Sequence, residues 1–385
     1  MNNSKPYCLM PWIHYHVSDN GKAKACCIAN IPYGNVNENS FEEIWNGKPI
    51  QELRTKFLKG DKDNRCAGCF KLEEAGGRSI RQETFEKFPD VKTTDIKVNE
   101  KPIYFDIRFS NVCNFRCRTC WHGASSKWFN DAKALGRNIS EKAIIQNITD
   151  FDRFISETGE ALLGAKEIYF AGGEPLVTEE HYLLLDWLIE NKVTNLHLRY
   201  NTNFSILKFK NYDILAYWKQ FESIEIMASV DATEQLGEYI RKEFVWKLFL
   251  NNREKLRDLD NINFKLAPTV SVLNLCHLPA LYKTGVQLNL IEPKDFYINI
   301  LERPFYYNIK AFPVEKKRKI EEEFNQFYVW CKNNDIPNSV IDSFKECIAF
   351  MNQEQLSEKY WSQFLKETEV LDELRTEDLA DILNT

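Results

Sequence analysis

From residue 101 onward, short β-branched and aromatic runs alternate with longer amphipathic stretches. The runs IYFDIRFS (103–110), EIYFAG (167–172), LHLRYNTN (196–203), SIEIMASV (223–230), FKLAPTVSV (264–272) and FYINIL (296–301) each predict a strand. Helical patterns lie between most of them, as in EEHYLLLDWLIEN (179–191) and DILAYWKQF (213–221). Repeated strand–helix alternation over 101–305 predicts right-handed βαβ units and a parallel sheet or barrel. In such folds the chemistry sits at the C-terminal ends of the strands.

The flanks read differently. Residues 1–100 hold five cysteines among turn formers such as DNG (19–21) and YGN (33–35), with one helical stretch that Ser40 opens and Gly60 closes. Such a segment has little core of its own and gains from a metal centre as a staple. Residues 306–385 are charged and helical, with Trp330, Phe344, Trp361, Phe364 and Leu365 as the expected buried stripe.

Composition narrows the partners. Hydrophobic residues make up 44% of the 385, enough for a sizeable core. A net charge of −6, from 50 basic and 56 acidic residues, provides no basic footprint for nucleic acid. No apolar run reaches the roughly 20 residues that span a bilayer, and MNNSKPYCLMPWIHYH lacks the pattern of a secretory signal. The expected location is cytoplasmic, without a membrane partner. Thiols stay reduced there, so the eleven cysteines, eight of them within the first 120 residues, point to metal or redox chemistry.

NVCNFRCRTCW follows the first of these strands and supplies Cys113, Cys117 and Cys120 in a C-x3-C-x2-C spacing. Three thiolates are one short of the four that usually close a zinc site or a [4Fe–4S] cluster. A cubane held by three leaves one iron open to a small ligand. This motif after a first strand resembles the signature of the radical S-adenosylmethionine superfamily. The resemblance implies an open iron that chelates the methionine moiety of S-adenosyl-L-methionine. It also implies one-electron cleavage to a 5′-deoxyadenosyl radical that abstracts hydrogen from substrate, with flavodoxin or ferredoxin as the electron donor. Later strand ends match the family in order. AGGEP (171–175) resembles its GGEP motif, so Gly172, Gly173, Glu174 and Pro175 are expected to receive the methionine amino group. The resemblance extends to Asn201 and Asn203 in YNTN, to Ser229 and Asp231 in SVDA near the ribose, to Arg241 as a partner for a carboxylate, and to PTVSVLN (268–274) flanking adenine. The fold implied is an α/β partial (β/α)6 TIM-like barrel. Thr119 stands before the third cysteine, where many members place an aromatic residue.

The N-terminal cysteines form a second group. Cys8, Gly21 with four residues between it and Cys26, and then CAGC (66–69) resemble the start of SPASM and twitch modules, which bind auxiliary iron–sulfur clusters. The ligand set this implies is Cys8, Cys26, Cys66 and Cys69, with Cys27 competing for the place of Cys26. In better-known members the module follows the barrel, whereas here it would precede it.

Blander readings stand beside these. His122 completes a zinc site with the three loop cysteines, and CAGC alone suits zinc or a redox pair. AGGEP alone suits a plain turn, and Asn201 and Asn203 suit turn formers. Arg241, in the helical pattern EYIRKEFVWKLF, suits a surface salt bridge. His14 and His16 alternate like strand residues that shape the small domain. Cys276, Cys331 and Cys347 read as inert buried thiols. The substrate expected by analogy is a peptide or protein side chain; the alternatives are a small molecule (sugar, amino acid or nucleotide) and a non-catalytic iron–sulfur or zinc protein. No catalytic side chain is named.

Overall fold

Ser40 opens the helix Phe41–Trp45 through a capping box: its Oγ accepts the Glu43 N–H at 3.3 Å, and its own N–H donates to Glu43 Oε2 at 2.8 Å. The helical stretch expected to run unbroken to Gly60 restarts at Gly47, with Pro49 at its head, and continues as Lys48–Lys59. Gly60 closes it with φ +81°. The computed structural model describes residues 7–74, 77–91 and 95–383; the first six residues, part of the stretch read for a secretory signal, lie outside them.

The fold is mixed α/β with a large parallel sheet, and the chain divides into two compact units. The first comprises Met1–Val112, Ile144–Arg199 and Tyr217–Ile224. It contains β1 (His14–Val17), β2 (Lys22–Lys24), β3 (Pro32–Asn35), β4 (Tyr104–Ile107), β5 (Glu167–Phe170) and the start of β6 (His197–Thr202), in the order β3-β2-β1-β4-β5-β6. β1 runs antiparallel to β2 and parallel to β4, and β4 parallel to β5, so His16, Asp106 and Tyr169 stand in one row. Alternation along these strands sends Tyr15, Val17, Phe105, Ile107, Ile168 and Phe170 to one face. His14, His16, Tyr104, Asp106, Glu167 and Tyr169 share the other.

The N-terminal segment is therefore not the core-poor appendage its loops suggested. Leu9, Trp12, Ile13, Tyr15 and Val17 are buried, together with Ile44, Trp45, Ile50, Leu53 and Phe57. Hydrophobic burial, at roughly 2 kcal/mol per large side chain, gives this segment a core before any metal is considered.

The second unit comprises Cys113–Ala143, Tyr200–Ala216 and Glu225–Thr385. It holds the end of β6, the hairpin of β7 (Lys208–Phe209) and β8 (Tyr212–Asp213), most of β9 (Ser223–Ala228), β10 (Ile262–Leu266), β11 (Thr269–Val270) and β12 (Asn299–Ile300). β6, β9 and β10 are neighbours in that order, while β11 and β12 form a parallel pair of their own. The run 264–272, expected as one strand, breaks at Pro268, which has no N–H for a ladder. The pattern EYIRKEFVWKLF breaks as well: the helix Glu234–Ile240 ends at Arg241, Glu243 takes φ +82°, and Trp246–Glu254 starts anew.

Helices Val314–Asn333, Asn338–Asn352 and Ser357–Arg375 make the expected C-terminal helical region. Phe344 and Phe364 are buried as expected, but Trp330 and Trp361 are only half-buried and Leu365 is exposed. The stripe runs instead through Ile320, Phe324, Phe327 and Cys331, spaced three and four apart. Cys331 and Cys347 are buried, whereas Cys276 is exposed. No described helix is long and apolar enough to cross a membrane.

Candidate functional site

In the second unit the loop 113–120 is fixed mainly through its backbone. Phe115 N–H donates to Cys113 Sγ at 3.4 Å, and Cys120 N–H donates to the Cys117 carbonyl at 3.0 Å. Trp128, fully buried, donates its indole N–H to the same carbonyl at 2.6 Å. The segment 240–242 holds the loop from another side, because Arg116 and Arg118 N–H donate to the carbonyls of Lys242 and Ile240 at 3.3 and 2.8 Å. Cys117 is buried and Cys113 and Cys120 are half-buried. Burial pushes the Cys120 thiol up to about 12, with the Cys117 sulfur adding to the shift. Burial also raises Cys117, against the pull of the Arg241 guanidinium.

Arg241 is not the surface residue its helical pattern suggested. Its Nε and Nη2 meet the Asp231 carboxylate at 2.9 and 3.0 Å, and Nη1 lies 3.7 Å from Cys117 Sγ. Asp231 is fully buried and also accepts the Thr269 N–H at 2.7 Å. Asn203 turns to the cysteine loop: its Nδ2 donates to Asn114 Oδ1 at 2.8 Å, and its Oδ1 accepts from Ser205 Oγ at 2.7 Å. Asn114 Nδ2 then donates to Ser205 Oγ at 2.9 Å. Asn201 differs, for its buried Oδ1 has no partner among the described residues. Ser229, half-buried, donates its N–H to the Thr202 carbonyl at 2.8 Å.

In the first unit β5 runs into Gly172 and Gly173, at φ +80° and +55°. A Cβ on Gly173 would stand 2.2 Å from the Val112 carbonyl oxygen, so only glycine lets this turn lie on the residue before Cys113. Glu174 N–H donates to that same carbonyl at 2.7 Å. The Glu174 side chain is buried and accepts the Leu176 N–H at 3.1 Å, which caps the turn Pro175–Val177.

The N-terminal thiols also assemble in the first unit. Cys26 and Cys69 are buried, Cys8 and Cys66 half-buried. Burial raises the Cys8 thiol well above its ordinary range, and the sulfurs of Cys26, Cys66 and Cys69 add to the shift, so all four lie within electrostatic reach. Ala29 N–H donates to Cys26 Sγ at 3.3 Å. Cys27 is exposed; the charges of Asp106 and Arg108 act on it in opposite senses, and its sulfur is also the foremost electrostatic neighbour of Cys26. The adjacent cysteines thus face different surroundings.

Among the described residues no three His, Cys, Asp or Glu side chains converge as a site for one metal ion. The test of fit for a cluster is the donor set. Buried and half-buried thiols, with amide N–H groups aimed at the Cys113 and Cys26 sulfurs, suit iron–sulfur ligation. Iron would also relieve the cost of ionising thiols in a dry site.

The sequence reading missed the row beside Cys27. His16 Nδ1 pairs with Asp106 Oδ2 at 2.8 Å, both buried, and Arg108 Nε reaches Asp106 Oδ1 at 3.3 Å. Burial alone would raise the Asp106 carboxyl, but Arg108 and His16 overcome it and hold it below the usual carboxylate range. Burial pulls His14 down to about 4, which keeps it neutral. The signal was present in IYFDIRFS, where Asp106 and Arg108 alternate with Phe105, Ile107 and Phe109.

Residues 8–70 match the SPASM family, described as an iron–sulfur cluster-binding domain. No curated protein matches the sequence. Among solved structures, Streptococcus suis SuiB bound to precursor peptide SuiA is similar at TM-score 0.42 and 14% identity, over 74% of this chain and 61% of that one. SuiB bound to S-adenosylmethionine is similar at TM-score 0.40 and 13% identity, over 76% and 60%. The chain thus spans about three-fifths of the length of these structures.

Proposed function

We propose that this chain is a radical S-adenosylmethionine enzyme that abstracts hydrogen from a peptide or protein side chain. Cys113, Cys117 and Cys120 hold its [4Fe–4S] cluster, and Cys8, Cys26, Cys66 and Cys69 hold an auxiliary one. In this reading residues 1–100 are the auxiliary module, 101–305 a partial (β/α)6 barrel and 306–385 a helical extension. Gly172, Gly173, Glu174, Pro175, Asn201, Asn203 and Ser229 serve the cofactor. A flavodoxin or ferredoxin supplies the electron. A cluster bound by the three thiolates would supply the one-electron reduction of the sulfonium, and the residues around it would orient the cofactor and exclude water.

The observation that carries this reading is the loop 113–120, which brings three cysteines and no fourth into a backbone-clamped turn with the Cys117 and Cys120 sulfurs interacting. Several observations support it. The match of residues 8–70 supports the auxiliary cluster. The backbone packing of Gly173 on Val112 favours a built loop over a plain turn. The orphaned Asn201 oxygen suits a polar ligand.

Anaerobic reconstitution tests it. The protein should bind about eight irons as two cubanes and release 5′-deoxyadenosine with dithionite and S-adenosylmethionine. Replacing Cys113, Cys117 and Cys120 with Ala should leave about four irons and no cleavage. Full iron loading without 5′-deoxyadenosine would sink the proposal.

A further inference from the structure

Arg241 occupies a place that its sequence context does not suggest. It caps the helix Glu234–Ile240, yet it is only 8% exposed. A guanidinium presents five N–H donors in a rigid fork. Two of its nitrogens are committed to Asp231, at 2.9 and 3.0 Å, and Nη1 is left aimed at Cys117 Sγ, 3.7 Å away. The anchor is itself held. Asp231 accepts the Thr269 N–H at 2.7 Å, and Asn274 Nδ2 donates to the Asp231 backbone carbonyl at 2.9 Å. The carboxylate that Arg241 grips is thus one of the chain's own, and the free edge of the fork points to a cysteine sulfur.

We infer that Arg241, locked by Asp231, donates to the Cys117 sulfur and sets the reduction potential of the cluster held by Cys113, Cys117 and Cys120. This rests on the function proposed above. Reduction adds one electron to the cluster. A buried cation that also donates to a ligand sulfur stabilises the reduced state more than the oxidised one, and so raises the potential. The Asp231 charge acts with the opposite sign on the same cluster, while its oxygens hold the fork in place. Arg241 is therefore the tuning group, and Asp231 both holds its fork in place and opposes it through its own charge.

The opposite signs make the test. EPR-monitored redox titration of the reconstituted two-cluster protein should follow the component whose spectrum changes when S-adenosylmethionine is added. Arg241→Gln should shift the midpoint potential of that component negative. Asp231→Asn, which keeps an acceptor for the fork but drops the charge, should shift it positive. Arg241→Lys, with the charge and without the fork, should fall between wild type and Arg241→Gln. Should Arg241→Gln fail to load iron, the Lys and Asn variants decide the matter by themselves. Shifts of one sign in all variants, or unchanged potentials at full iron loading, overturn the inference. If no component of the wild-type protein responds to S-adenosylmethionine, the functional reading itself fails, and that result is distinct from the other two.

Discussion

Arg118 and Asp372 form an ion pair that ties the cysteine loop to the last long helix of the second unit. Arg118 stands between Cys117 and Cys120 with its side chain fully buried, stacked 3.6 Å over the Tyr239 ring. The Tyr239 hydroxyl donates to Asp372 at 2.9 Å. Glu377 pairs with Arg118 as well, and with Lys242 at 2.6 Å. A second pair of bridges repeats the design, since Asp131 joins Arg116 at 2.8 Å and Arg375 at 2.7 Å. The C-terminal helices thus reach the cysteine loop through buried charges.

Removing one partner of a buried pair leaves the other charge uncompensated, which costs about 3 kcal/mol. Asp372→Ala leaves Arg118 with Glu377 as a remaining carboxylate, so it should lower the unfolding free energy by part of that amount, about 1–2 kcal/mol, in a denaturant titration. Arg118→Met combined with Asp372→Leu should recover part of the loss, because no buried charge is then left without its partner at this pair. A loss under about 0.5 kcal/mol, the usual scale of a surface substitution, would show that the pair is solvated in practice.

Gly173 and Gly60 offer a matched comparison. Both have positive φ, at +55° and +81°, so Ala at either should cost about 1 kcal/mol of conformational energy. Only at Gly173 does the new Cβ meet backbone, 2.2 Å from the Val112 oxygen; at Gly60 nothing lies within 4 Å. Gly60→Ala should therefore lower stability by the conformational cost alone. Gly173→Ala should lose substantially more, because the loop bearing Cys113 must shift. Equal losses in thermal or denaturant unfolding would remove the steric argument.

The strands were legible in the sequence because alternation and β-branched content state them locally, and all six runs from residue 101 onward carry a strand, on β4, β5, β6, β9, β10 and β12. Breaks inside the runs depended on single residues, such as Pro268. The cysteines were legible as groups because spacing is a sequence property. The surroundings of those groups were not. Whether Arg241 faces solvent or a sulfur depends on where its helix ends, and the periodicity of EYIRKEFVWKLF hides the stop after Ile240. Asp372 and Glu377 lie more than 250 residues from Arg118, and no local pattern announces a pairing across that span. Likewise the alternation of His14 and His16 suggested a strand, but not that β1 pairs with β4.

Cys26 and Cys27 separate the two faces of one dipeptide. Cys26 is buried within electrostatic reach of Cys8, while Cys27 is exposed and also feels the charges of Asp106 and Arg108. Cys26→Ser should cost the reconstituted protein about four of eight irons, with the 5′-deoxyadenosine-forming cluster retained. Cys27→Ser should keep the full iron complement and the same visible absorption. The reverse result would move the ligand assignment to Cys27.

His181 makes the stability of the first unit depend on acidity. Its side chain is fully buried, with its ring edge-on to Phe170 at 4.7 Å and to Tyr182 at 4.8 Å. Burial pulls its pKa to about 3 from the ordinary 6.5. The unfolded chain therefore binds a proton below pH 6.5 that the folded chain refuses until about pH 3. Between those limits stability falls as pH falls, by about 1.4 kcal/mol for each unit. His14, pulled down to about 4 by burial, adds a slope of the same sign between 6.5 and 4. His181→Phe removes one of the two, so urea unfolding should show a decline between pH 7.5 and pH 5.5 that is smaller than wild type by about 1.4 kcal/mol. Its absolute stability at pH 7.5 depends on how well the phenyl ring fits, but the pH slope does not. An unchanged slope would mean that His181 stays protonated within the fold and that some group in its surroundings carries the compensating charge.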